Sequence, residues 1–178
     1  MRKYLLYLLL SCNAFLYSQT EKHLIKANLL FTPSLTYEIG LNDNFTAKGE
    51  VGTSLTGFDN STDTFIGVFP KFELQGKYYY NFENRVKKGK NTANNSANFL
   101  ALVYHYSGKS SFINDNDRLT DFSLLGGVWG FQRTYGKSFS ILFEIGAGYD
   151  FAYRDYNTFN GRPFPVIGFE LGWVVFKK

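Results

Sequence analysis

A chain of 178 residues with a formal charge of +4 and 19% aromatic residues is the size of one domain. Its 19 basic residues barely outnumber 15 acidic ones, which excludes the strongly basic surface of a nucleic-acid binder. One cysteine and two histidines exclude a disulfide scaffold and form no cluster for a metal centre, so neither a metal nor a cofactor is expected.

The chain opens "MRKYLLYLLLSCNAFLYSQT". Arg2 and Lys3 make a positive start, and Tyr4 to Leu10 make an apolar stretch too short for a spanning helix. Residues 1–18 therefore read as an export signal cleaved after Ser18, leaving 19–178 as one domain. Lipoprotein processing at Cys12 is the alternative, and the apolar Ala14 to Tyr17 that follows argues against it. Cleavage takes away Arg2, Lys3 and the only cysteine, so 17 basic residues remain against 15 acidic. No later run of about 18 apolar residues exists, so no transmembrane helix is expected.

Alternation of apolar and polar residues then predicts eight strands, at 22–31, 35–41, 44–56, 64–80, 98–107, 121–133, 138–153 and 164–176. The first sets Ile25, Ala27 and Leu29 against Lys26 and Asn28. The second sets Leu35, Tyr37 and Ile39 against Thr36 and Glu38, and the third sets Phe45, Ala47 and Val51 against Thr46, Lys48 and Glu50. In the fourth, Phe72, Leu74, Tyr78 and Tyr80 oppose Lys71, Glu73, Gln75 and Lys77. The fifth and sixth, "NFLALVYHYS" and "FSLLGGVWGFQ", are apolar on both faces and cannot be oriented from pattern. The seventh sets Phe139, Ile141, Phe143 and Ile145 against Ser140, Glu144 and Gly148. The last sets Ile167, Phe169, Leu171 and Trp173 against Gly168, Glu170 and Gly172. Turn-rich segments such as "GFDNSTD" and "TYGK" separate them.

Side-chain volume decides which face is inside. An eight-stranded ring has room for little more than side chains, so its interior cannot hold the large aromatic face of strand after strand. The small and charged face belongs inside and the apolar face outside, against lipid. Tyr37, Tyr78, Tyr80, Tyr149, Tyr153 and Trp173 are then expected in interfacial girdles. The expected fold is all-β: an eight-stranded antiparallel up-and-down transmembrane β-barrel in the outer membrane of a Gram-negative cell. Loops 57–63, 108–120 and 154–163 would face outside, where a surface ligand could meet them, and both termini would be periplasmic.

The stretches "KANLLFTPSLTYEIGLNDNFTAKGE", "KFELQGKYYYNFENRVKKGKNTANNSANFL" and "PVIGFELGWVVF" carry a resemblance. The chain resembles the small, mostly uncharacterised outer-membrane β-barrel proteins of flavobacteria and their relatives. That resemblance implies fold and location rather than an activity. It also implies a terminal aromatic read by the barrel-insertion machinery, here Phe176, although Lys177 and Lys178 follow it.

Chemistry-bearing motifs are sparse. "GKSS" at 108–111 has Val103 where a phosphate loop needs glycine, and Gly146-Ala147-Gly148 lies within a strand instead of at a strand-to-helix turn. In "HYSG", His105 and Ser107 share a strand face, so His105 could activate Ser107, with Asp115, Asp117 or Asp121 orienting the imidazole. The segment is similar to the His-x-Ser of outer-membrane lipid A deacylases, with Gly108 in place of their asparagine and no glutamate at their spacing. A lipid A-directed esterase is therefore the alternative to a monomeric, non-enzymatic barrel with a structural or surface-contact role, whose partners are membrane lipid and no nucleic acid.

Hairpin geometry extends this to the interior. A turn near 60–61 sets Lys48 opposite Glu73 and Glu50 opposite Lys71, and the turn at 42–44 sets Glu38 opposite Lys48. A single charge ladder through Glu38, Lys48, Glu73, Glu50 and Lys71 is expected to plug the ring, with Lys26 joining Glu144 and Glu170 across its closure.

Overall fold

Period-two alternation builds eight strands, and their ends fall within a few residues of the expected ones. In the computed structural model, which describes residues 20–30, 32–60, 63–112, 121–151 and 162–178 and the side chains among them outside 56–66, these are β1 (His23–Asn28), β2 (Ser34–Gly40), β3 (Phe45–Asn60), β4 (Asp63–Tyr79), β5 (Asn98–Ser107), β6 (Phe122–Tyr135), β7 (Phe139–Asp150) and β8 (Arg162–Lys177). Each strand pairs antiparallel with its chain neighbours, and β8 returns to β1, so the sheet closes into a ring. Closure removes the unpaired edges that an open sheet would present. The expected signal segment 1–18, Cys12, Asp115, Asp117, Tyr153 and most of the loops 108–120 and 154–163 lie outside the described residues.

The exterior carries the apolar face. Leu35, Val51, Leu74, Leu100, Leu102, Ile145, Phe169 and Val175 are exposed, Leu102 by 63% and Val175 by 60%. Tyr37, Tyr78, Tyr80, Tyr149 and Trp173 are exposed with them. The interior carries the polar face: Lys26, Thr36, Glu38, Thr46, Lys48, Glu50, Gln75, Lys77 and Gln132 are all buried. This is the reverse of a soluble core, in which water would meet the charges.

The two strands that pattern leaves unoriented are resolved by a division of the interior. Phe99 and Val103 of β5, Leu124 and Val128 of β6 and Leu142 of β7 form an apolar inner wall with Tyr79, Phe82 and Ala97. β5 and β6 are thus apolar outside and apolar inside, while β1 to β4 supply most of the inward charge. Inward glycines make the space: a Cβ on Gly148 would lie 2.8 Å from Leu124, and one on Gly130 would lie 2.6 Å from Phe99.

Two expectations about the hairpins need correction. The segment "GFDNSTD" is no loop 57–63, because β3 continues to Asn60 and β4 starts at Asp63, leaving only 61–62 between them. The tip therefore sits further along the chain and the register shifts by two residues, pairing Lys48 with Gln75, Glu50 with Glu73 and Gly52 with Lys71. The β2–β3 register is as expected, with Glu38 opposite Lys48.

The β4–β5 connection (80–97) folds back over the end of the ring that carries the described chain ends. It contains α1 (Phe82–Lys87) and the 3-10 turn η1 (Ala93–Asn95). Asn94 and Asn95 adopt left-handed backbone angles, φ 54° and 59°, a conformation asparagine tolerates better than most residues. That double turn drives Asn94, Asn95, Ser96 and Ala97 into the ring mouth, where all four are buried. Gln132 N donates to Ala97 O at 2.9 Å, Gln132 Nε2 to Asn94 O at 2.6 Å, and Thr134 N to Ser96 Oγ at 2.9 Å. A long connection thus becomes a plug.

Candidate functional site

The interior polar groups are the chemically richest part of the molecule. Five carboxylates (Glu38, Glu50, Glu73, Glu144, Glu170) face four ammonium groups (Lys26, Lys48, Lys71, Lys77). Parity places each of them inward, and the strand register decides which of them meet.

Lys48 is the hub. Its Nζ lies 2.7 Å from Glu50 Oε2, 3.1 Å from Glu73 Oε1 and 2.6 Å from Glu170 Oε1. Lys71 Nζ holds the other oxygen of Glu50 at 2.6 Å. Glu50 and Glu73 stand directly opposite each other, a like-charge pair that would be unfavourable alone. The two lysines resolve it diagonally, Lys48 reaching both carboxylates and Lys71 capping Glu50. The expected contacts Lys48–Glu73 and Lys71–Glu50 therefore form, although as diagonal and not directly opposed neighbours. Gln75 Nε2 donates to Glu73 Oε1 at 2.8 Å and to Glu144 Oε2 at 3.1 Å, drawing Glu144 into the group. Gly168 leaves the room Glu144 needs, since a Cβ there would lie 2.6 Å from Glu144 Cγ.

Glu38 belongs to a second cluster, so the single ladder is corrected to two groups. Thr46 Oγ1, the Tyr79 hydroxyl and Asn95 Nδ2 all donate to Glu38 Oε1, at 2.7, 2.8 and 2.8 Å. Lys77 Nζ is 3.6 Å from Glu38 Oε2 and 4.7 Å from the centre of the Phe99 ring. Lys48 is opposite in register, but its ammonium is already taken by three carboxylates on its other side. The expected bridge from Lys26 to Glu144 and Glu170 is also corrected. The β1–β8 register sets Lys26 beside Val174, four residues from Glu170, and its Nζ donates to Gln132 Oε1 at 2.9 Å. Asn28, beside Gly172, donates to Glu170 instead. Tyr79, Asn95 and Gln132 are members that sequence reasoning missed, and Lys77, placed on the inner face, was not expected in the network. Tyr79 sits between the outward Tyr78 and Tyr80, and that parity was its only signal.

His105 and Ser107 both face the interior. His105 Nδ1 lies 3.2 Å from Glu73 Oε2, and Ser107 Oγ is 2.9 Å from Ser54 Oγ. The described residues contain no hydrogen bond from His105 to Ser107, and Asp121 Oδ1 accepts from Lys109 N at 2.9 Å. Among the described residues His105, Ser107 and Asp121 thus each bond to a different group.

Oxygens of Glu50, Glu73 and Glu170 lie within 4.8 Å of one another, a spacing that could hold a cation. The Lys48 ammonium already bonds to all three and supplies the positive charge. Phe176 lies on the outer face of β8 opposite Ile25 and is half exposed. Among the described residues no helix is long and apolar enough to cross a membrane, which leaves open a crossing made by strands. Comparison with protein-family models, curated proteins and solved structures gives no match.

Proposed function

We propose that this chain is an outer-membrane β-barrel, exported by a cleaved signal of residues 1–18, whose plugged interior serves an envelope-structural or surface-contact role without enzymatic activity. The observation that carries the reading is the inverted distribution of side chains. Large apolar residues cover the outside of a closed ring, and buried charged groups among the described residues fill its inside. In water that arrangement would expose the apolar band and bury ions at a cost, whereas lipid reverses the first penalty. Restricted passage is disfavoured because the ion-pair clusters and the 80–97 plug occupy the interior that eight strands enclose. The esterase alternative loses ground because His105 and Ser107 point inward with other partners, away from a lipid substrate.

Expression of the full chain in a Gram-negative host tests this. The protein should fractionate with the outer membrane, begin after residue 18 by mass spectrometry, and migrate differently on gels before and after boiling. Protease added to intact cells should cut at 108–120 and spare 81–96. A soluble periplasmic product, or cleavage only at 81–96, would overturn the location or the orientation respectively.

A further inference from the structure

The outer surface is not evenly apolar. Along one hydrogen-bonded row, Gly76 pairs with Leu102, Leu102 with Gly127, and Gly127 with Ala147. A Cβ on Gly76 or Gly127 would meet nothing within 4 Å. The two glycines lower the surface on either side of the exposed Leu102, in an open trough of about 590 Å³ that Tyr78, Leu100, Trp129 and Ile145 surround.

A polar chain runs from this trough to the rim. Trp129 Nε1 donates to the Tyr80 hydroxyl at 2.7 Å, Asn98 Nδ2 donates to the same oxygen at 3.3 Å, and Arg133 Nη2 donates to Asn98 Oδ1. Beside Arg133, Arg85 Nη2 donates to Asn91 O at 2.7 Å, and Asn91 Nδ2 holds Thr134 O at 2.9 Å. Among the described residues neither arginine has a carboxylate partner, and the neighbouring connection adds Lys88 and Lys90.

We propose that this trough and its two arginines bind an anionic glycerophospholipid of the leaflet at the plugged end, with an acyl chain over Gly76 and Gly127 and the phosphate at Arg85 and Arg133. The inference rests on the membrane reading above. Six residues separate Gly127 from Arg133, about 20 Å along a strand, or about 15 Å of depth at the tilt of such barrels. That is half of a roughly 30 Å hydrocarbon core, the depth of one leaflet. Guanidinium groups suit phosphate, and Trp and Tyr at this level suit the interface. A second copy of the chain fits worse. A two-fold contact would set trough against trough, leaving a void, and would bring two arginine pairs together.

The test uses the chain from residue 19 with Trp173→Phe, which leaves Trp129 as the only tryptophan. It is inserted into phosphatidylcholine vesicles containing either phosphatidylglycerol or phosphatidylcholine brominated on the acyl chains. Trp129 should be quenched by brominated phosphatidylglycerol at a mole fraction roughly thirtyfold lower, the effect of about two basic residues at an anionic surface. Gly127→Leu should abolish that preference, with Gly76→Val as the second variant if the first does not fold by gel mobility. Arg85→Gln with Arg133→Gln should abolish the preference while quenching by brominated phosphatidylcholine stays. Equal quenching by the two lipids, a preference that survives loss of both arginines, or a cross-linked dimer through the trough would overturn the inference alone. If Trp129, and Trp173 in a Trp129→Phe chain, both escape quenching by either lipid, the membrane reading fails and takes this inference with it.

Discussion

Lys48→Met should be the most damaging single change in the interior. Methionine keeps most of the volume and removes the charge, so the effect reads electrostatics and not a cavity. Lys48 Nζ contacts Glu50, Glu73 and Glu170, all within 3.1 Å, and its own side chain is fully buried. Without it, the ion pairs left to Glu50, Glu73, Glu144 and Glu170 among the described residues are Lys71–Glu50 and the His105–Glu73 contact. Breaking one buried pair costs about 3–5 kcal/mol, and the loss of three contacts at once puts this change at the upper end, about 5 kcal/mol. Urea unfolding in lipid vesicles, followed by tryptophan fluorescence, measures it. Adding Glu170→Gln should restore part of the loss, because it neutralises one of the stranded charges, and the coupling should appear as non-additivity. A Lys48→Met chain within about 1 kcal/mol of wild type, the range of an exposed pair, would refute the hub role.

Tyr79→Phe deletes one donor to Glu38 without changing shape and should cost about 1.5–3 kcal/mol in the same unfolding assay. Asn95→Ala removes both a Glu38 contact and the hydrogen bond that Asn95 Oδ1 accepts from Glu21 N, so it should loosen the plug. Brief conductance events in planar bilayers, absent from wild type, would report the loosening, and an unchanged record would contradict it. His105→Ala with Ser107→Ala should leave the acyl pattern of lipid A unchanged by mass spectrometry in cells producing the protein; a changed pattern would revive the esterase.

Much of the ring was legible because its rule is local. Each strand announces itself by parity, and parity alone places Lys48, Glu50, Glu73 and Glu170 inside. Partner choice was less legible, because it depends on register summed around the ring. The β3–β4 tip lies at 61–62, and that displacement of one residue moves every cross-strand partner by two. The β1–β8 pairing likewise sets Lys26 beside Val174, four residues from Glu170. The plug was illegible for another reason. "NNSA" at 94–97 is polar and turn-prone, and nothing local distinguishes a surface loop from one folded inward through two left-handed asparagines. The apolar wall of β5 and β6 hid in plain view, since a strand apolar on both its exposed and its inner face reads as unassignable.

The most direct measurement is a nitroxide scan of residues 98–107 in vesicles, one Cys substitution at a time; the chain from residue 19 has no cysteine of its own. Labels at Leu100, Leu102 and Tyr104 should collide freely with oxygen and hardly with a water-soluble nickel complex. Labels at Phe99, Ala101 and Val103 should be shielded from both. Nickel collisions at Leu102 as frequent as in water would contradict the placement of this face in lipid, and the inverted barrel would fall with it.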